Sequence, residues 1–348
     1  MQNLTLQTVK KQKGISLVEI MVAMVISLFL LGGVIQVYMG NRTAYRFSDA
    51  TSRIQENARF ALETMASDIR MTGFWGCAQF TSPQDTHLVN NLNIAANDPL
   101  YDFIQNDVIS ATVNDGLNGS DSLTVSGSKA GQNIILAPFM VNTDDDIEVD
   151  SVTSLQTNDI AIISNCEGAD IFEITGVVAS ATAGQSVIQH STVVQASTPG
   201  NINPPDCSAG GSRQCFSQIY ESDAAIAALQ TITYSIQAGA SGEPALWRAE
   251  NGVNDELIEG IEQMQILFGV DSDGDGSPNQ YMASSAVADL SQVSAVRIFL
   301  VVRSDEDGIT DDAQVYSVNG TSFTATDNRL RRVFSVTVTM RNKAGLIL

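Results

Sequence analysis

Histidine is almost missing from this chain: there are 2 in 348 residues, His87 and His190. An imidazole-based zinc site and a serine–histidine–acid relay both depend on that side chain, so neither is favoured. Positive charge is scarce as well, with 18 Lys and Arg against 39 Asp and Glu and a formal net charge of -21. A polyanion partner needs a clustered basic face to displace its counterions, and none is visible, so no nucleic acid is expected as a partner. The glycine loops of nucleotide binding, the G-x-S-x-G elbow and the H-E-x-x-H zinc helix are also absent. Ser126 and Lys129 form an S-x-x-K match, but in a Gly/Ser stretch that lacks the S-D-N and K-T-G companions. The expectation is a protein that is not an enzyme.

Proline is lacking where it would matter most, since none interrupts residues 15–71. The first 14 residues, MQNLTLQTVKKQKG, are polar, with Lys10, Lys11 and Lys13 and no acid. An apolar run follows, ISLVEIMVAMVISLFLLGGVIQVYM, over 15–39. At about 1.5 Å per residue it is long enough to cross a hydrocarbon core of about 30 Å. The lysines before it predict that the leader stays cytoplasmic and that the rest of the chain lies outside. The run is too long for an ordinary secretory signal, and no A-x-A-like cleavage site follows it; a plain signal anchor is the closer alternative. Glu19 stands out. A carboxylate in the membrane costs roughly 2.5–3.5 kcal/mol at mid-depth and less near an end, which marks it as functional by default. Cleavage between Gly14 and Ile15 would create an α-amino group able to offset that cost.

KKQKG followed by ISLVEIMVAMVIS resembles the class III signal of type IV prepilins and type II secretion pseudopilins. The resemblance implies that a membrane prepilin peptidase cuts after Gly14 and methylates Ile15. It also implies that Glu19, fifth in the mature chain, pairs with the N-terminal amine of an adjacent subunit. Removing the leader would take away three cations. Many prepilins have Phe or Met where this chain has Ile15.

Beyond the apolar run the helical pattern continues, with Phe47, Ala50, Ile54, Ala58, Ala61, Met65 and Ile69 at three- and four-residue spacing. One helix of about 55 residues is expected, its first half in membrane or fibre core and its second half against a globular domain. Gly32-Gly33 would loosen it or allow close helix packing. From about residue 74 the chain turns to short β-type runs, among them SLTVSG (122–127), NIILAPFMV (133–141), DIAIISNC (159–166), VSAVRIFLVV (293–302) and RRVFSVTVTMRN (331–342), the last alternating cleanly. Residues 221–230 read as a short helix and 255–265 as helical turns entering a strand. The expected fold class is α+β and pilin-like, with a long N-terminal α-helix packed on an antiparallel β-sheet domain. Its segments are a leader at 1–14, the helix at 15–72 with 15–39 in membrane or fibre core, and a periplasmic β-rich domain at 73–348.

GFWGCA after the helix, the DSDGDG loop and the closing RRVFSVTVTMRN look like the PilW family of minor pilins. That resemblance is strong over the first 75 residues and the last 90. It implies a minor pilin of a type IV pilus that helps prime assembly at the tip. The implied partners are other minor and major pilins, a tip adhesin, the prepilin peptidase and the inner membrane. A GspJ-like pseudopilin of type II secretion shares every N-terminal feature and is the alternative within the superfamily. A calcium-dependent surface adhesin and a tethered enzyme are the alternatives outside it.

Four cysteines, Cys77, Cys166, Cys207 and Cys215, contain no C-x-x-C pair, so a zinc ribbon or thioredoxin-type site is disfavoured. In a periplasmic domain an even count suggests disulfides, with three connectivities available. The expected pairs are Cys207–Cys215, closing the SAGGSRQ loop, and Cys77–Cys166, tying the helix exit to a strand; four free thiols are the alternative. In VDSDGDGSPNQY, Asp271, Asp273 and Asp275 alternate ahead of Gly276, as in the opening of a calcium loop. Asn279 and the carbonyl of Ser277 fall at further ligand positions of such a loop, but Met282 stands where its bidentate Glu would be. Ca2+ is thus the one cofactor suggested, against a bare Asp/Gly hairpin turn.

Overall fold

The computed structural model describes residue 14 and residues 16–75, 88–94, 107–129, 134–136, 140–150, 155–192, 199–202 and 214–344. The chain divides into two compact units, residues 1–52 and 53–348. Helix α1 (Leu17–Met71, 55 residues) begins in the first and ends in the second. With no proline to remove a backbone donor, it runs unbroken through Gly32 and Gly33.

In the first unit the helix exposes a nearly continuous apolar surface that includes Leu17, Val18, Phe29, Leu30 and Tyr38. In the second unit the expected stripe is the buried one: Ile54, Ala58, Ala61, Met65 and Ile69 all lie within the core. Of these, Ile54, Met65 and Ile69 supply most of the volume.

Among its described residues the second unit is built from sheets that are antiparallel apart from one pair. Its largest has nine strands among the described residues, with the central path β1 (Leu88–Asn90), β7 (Ala169–Glu173), β6 (Ile160–Ser164), β10 (Ala225–Ala238), β11 (Pro244–Glu250) and β12 (Val253–Glu259). β2 (Ile109–Thr112) joins β3 (Ser122–Ser128), and β3 and β4 (Ile134–Ile135) each pair with β10. Among the described strands only β1 and β7 run parallel. A second sheet has the order β14 (Gln280–Met282), β13 (Ile261–Val270), β15 (Val293–Arg303), β18 (Arg331–Thr339). β5 (Ile147–Val149), β9 (Ser186–Gln189) and β8 (Gly176–Ala179) form a small sheet, and β16 (Val315–Val318) pairs with β17 (Thr321–Thr324). A final helix, α2, spans Arg341–Ala344.

Two expectations change here. Residues 221–230 are not a helix: β10 begins at Ala225 and runs for 14 residues. Its alanines suggest a helix by propensity, but β10 has strands on both edges and is buried on both faces over much of its length, and that burial decides the outcome. Residues 255–265 are not helical either. They form β12, a turn and β13, pivoting on Gly260 at φ +84°, where a Cβ would sit 3.2 Å from the Arg303 carbonyl oxygen.

Polar groups fix the end of α1 in the second unit. Asp68 accepts hydrogen bonds from the Tyr234 hydroxyl (2.5 Å) and from Arg248 Nε (3.0 Å). Arg248 continues to Glu250 (2.7 Å), and Glu250 to Lys129 (2.8 Å). Burial pushes the Tyr234 hydroxyl well above its usual range, and the Asp68 charge adds to this, so Tyr234 stays a donor. Asn57 donates to the Glu259 carbonyl, and Asn342 to the Thr72 carbonyl. Gly127 makes room for the helix exit, because a Cβ there would lie 2.7 Å from the Met71 carbonyl oxygen.

Two further polar systems sit in the β-rich unit. Arg331, 2% exposed, makes a two-pronged pair with Glu262 (2.6 and 2.9 Å) and reaches Asp327 (2.5 Å). Arg303 and Arg329 share Glu243. Opposite charges thus close on one another in a partly dry region, where loss of one partner would strand the other. Asp170, fully buried, instead accepts from neutral donors: Asn91 Nδ2 (2.7 Å), Tyr220 hydroxyl (2.6 Å) and the Ser217 hydroxyl (2.7 Å) and N–H. Burial raises its carboxyl against the pull of those donors. Around it, Phe172, Phe216 and Tyr220 meet edge to face.

Candidate assembly site at the start of the long helix

Gly14 is exposed and non-helical, and space for a Cβ is open around it. Ile15 lies outside the described residues. Two residues later α1 begins, and Ser16 and Glu19 close its first turn reciprocally. The Ser16 N–H donates to Glu19 Oε2 (2.9 Å), and the Glu19 N–H donates to the Ser16 hydroxyl (3.2 Å). This is a capping box: two donors that a helix start leaves without intrahelical partners are satisfied by side chains three residues apart. The carboxylate also faces the positive end of the helix dipole. The S-x-x-E spacing of Ser16 and Glu19 is the sequence signal of this cap.

The chemistry of the site follows from this arrangement. Glu19 is exposed on a helix whose neighbouring residues Leu17, Val18, Ile20 and Met21 are apolar and exposed too. It is a single acid at the mouth of an oily surface, already aimed at backbone N–H groups. α1 is long and apolar enough to cross a membrane, and its most apolar stretch is buried nowhere in the chain.

The acidic loop sits elsewhere, in the hairpin between β13 and β14. Asp271, Asp273 and Asp275 each bring a carboxylate oxygen within 4.8 Å of the others. Asp271 accepts from the Gly274 and Gly276 N–H groups (2.7 Å each), and Asp275 from Ser277 N–H (2.8 Å). Desolvation pushes the Asp271 carboxyl up, but the Gly276 and Gly274 donors outweigh it and hold it below the ordinary range. Gly274 and Gly276 both have positive φ. The Asn279 side chain accepts from Ser272 and donates to Asp273 Oδ2 (3.1 Å), so it braces the loop from within. Three carboxylates suit a hard cation such as calcium, although the acid that closes a full twelve-residue calcium loop is replaced by Met282.

Cys166 and Cys215 are disulfide-bonded, and no described cysteine is free. Cys77 and Cys207 lie outside the described residues.

Comparison with known proteins bears on both ends of the chain. Residues 9–35 match the prokaryotic N-terminal methylation motif, which spans Gly14, Ile15 and Glu19. The start of the chain thus carries the motif of prepilin-like proteins. Residues 233–342, from β10 to α2, match the type IV pilus-assembly protein W family. Together the two matches support a type IV pilus-related minor pilin. No curated protein and no solved structure matches it.

Proposed function

We propose that the chain is made as a prepilin, cut after Gly14 by prepilin peptidase and methylated on Ile15. It is held in the inner membrane by α1 with its β-rich domain in the periplasm, and it then enters a type IV pilus as a non-enzymatic subunit. Its role is to help prime assembly at the tip, beside other minor and major pilins and a tip adhesin. The observation that carries this reading is Glu19: one carboxylate in the first turn of an otherwise apolar, exposed helix, inside the matched methylation motif and four residues after Ile15. In the fibre core Glu19 meets the new amine of a neighbouring subunit, where low dielectric makes the pair strong and an unpaired charge costly. Glu19→Ala is expected to abolish recovery of the protein in sheared pili while the protein stays folded and membrane-bound. Undiminished recovery of Glu19→Ala in pili would overturn the proposal. A secretion pseudopilin is the competing reading; the match at residues 233–342 favours the pilus, and loss of pili rather than of secreted protein in a deletion strain separates the two.

Two details belong with this reading. The Asp271–Asp273–Asp275 loop is proposed as a calcium site, supported by the convergence of its carboxylates. Calorimetry with calcium should show heat and a raised melting temperature, both lost in Asp273→Asn/Asp275→Asn. The disulfides are proposed as Cys77–Cys166 and Cys207–Cys215, for which non-reducing peptide mapping gives a direct answer.

A further inference from the structure

β18 is the last strand of its sheet, paired with β15 on one side only. Its hydrogen-bonding phase follows from the ends of the ladder. Ser304 N–H donates to the Leu330 carbonyl, and Met340 N–H donates to the Ser294 carbonyl. Antiparallel strands alternate inward- and outward-bonding residues, so the even-numbered residues of β18 bond to β15. The N–H and C=O groups of Arg331, Val333, Ser335, Thr337 and Thr339 point away from the sheet.

At Arg331 that outward pair is satisfied. Gln314 Oε1 accepts from the Arg331 N–H (2.8 Å), and Gln314 Nε2 donates to the Arg331 carbonyl (2.9 Å). One side-chain amide thus does what a neighbouring strand would do, and the edge is closed at that end. From Val333 to Thr339 nothing among the described residues takes the same place, and Ser335, Thr337 and Thr339 are exposed. The usual protections of an edge are missing here too: the stretch has no proline and no charge, and its register with β15 carries no bulge. β12, at the edge of the large sheet, is different, with a register shift against β11 and with Asp255, Glu256 and Glu259 along it.

The flanks of the open stretch select its occupant. Arg332 precedes it and Arg341 follows it, both exposed and without an ion pair among the described residues, in a chain of net charge -21. Two copies of β18 pairing antiparallel, with Val333 against Thr339 and Ser335 against Thr337, would bring Arg332 of each copy next to Arg341 of the other, while Arg331 is already neutralised by Glu262 and Asp327. Like charges in that position repel. We propose that the open edge of β18 receives an extended segment of a different polypeptide, an uncharged β-strand flanked by acidic residues, which adds to the sheet next to Val333–Thr339. Main-chain hydrogen bonds give affinity in such strand addition, and the flanking charges give selection.

The test uses the full chain in detergent micelles and a fluorescent synthetic peptide of alternating Thr and Val with Asp-Glu at each end. A second peptide, with Lys-Arg at each end, is the control. Fluorescence anisotropy should show saturable binding of the acidic peptide and about tenfold weaker binding, or less, of the basic one. Arg332→Glu combined with Arg341→Glu should reverse that preference. Thr337→Pro should abolish binding, because it removes an outward N–H while leaving the bonds to β15, whereas Thr337→Val should bind as the parent does. An acidic peptide N-methylated at alternate residues tests the same bonds without altering the protein. Equal binding of the acidic and basic peptides, no binding, or indifference to N-methylation would overturn the proposal. So would sedimentation showing β18-dependent self-association that excludes the peptide, since a second copy would then be the occupant. None of these readouts depends on pili, so the outcome is separable from the fate of the pilin reading.

Discussion

At the residue scale the central group is Glu19, whose one carboxylate has an observed use and a proposed one. In the single chain it caps its own helix through the Ser16 N–H. On assembly the same oxygens would meet a neighbour's amine. Ser16→Ala removes the reciprocal bond and should cost about 1 kcal/mol at the helix start, seen as faster amide exchange over residues 17–20 with the rest of α1 unchanged. Asp327 gives a prediction of a different kind. Its hydrogen bond with Arg331 holds its carboxyl below the ordinary 3.8. The folded state therefore favours the ionised form, and the stability this adds is present above the unfolded value and lost as pH falls through the folded one. The melting temperatures of the parent and Asp327→Asn should differ most near neutral pH and converge below about pH 4. A gap that widened on acidification would contradict that pairing. The methylation motif was legible because its chemistry is local in the chain. The partners of Asp68 were not, since Tyr234 and Arg248 lie 166 and 180 residues away.

At the scale of elements, α1 joins two surfaces with opposite fates. Its apolar residues up to Met39 are exposed, whereas Ile54, Ala58, Ala61, Met65 and Ile69 are closed off within the second unit. Met65→Ala should destabilise the β-rich unit by about 2–5 kcal/mol in denaturant unfolding, and Ala61→Leu by about 1–3 kcal/mol through overpacking. A substitution of equal size at Phe29, 80% exposed, should leave that unfolding unchanged. The three-four spacing showed this helix in advance, and the alternation of RRVFSVTVT showed β18. The spacing misled at β10 and at β12–β13, where alanines and the apolar residues Leu257, Ile258 and Ile261 satisfy a helical pattern just as well. Sheet burial on both faces and the positive φ of Gly260 settle those segments, and both are properties of the fold rather than of a short window. The open edge of β18 was hidden for the same reason: which strand ends a sheet is a matter of topology.

At the scale of the whole molecule, the strong negative charge has a consistent meaning. Against it the exposed Arg332 and Arg341, without an ion pair among the described residues, stand out as the groups the proposed strand addition would use. The acidic loop, the disulfides and the arginine network all act on that unit, and none of them bears on how the chain is processed. The central claim, that the chain is a processed subunit built around Glu19, is tested most directly by N-terminal sequencing and intact mass of the protein recovered from the membrane. The account predicts a mature chain that starts at Ile15 and carries one added methyl group. A chain that still begins at Met1, or that is cut beyond Glu19, would contradict it.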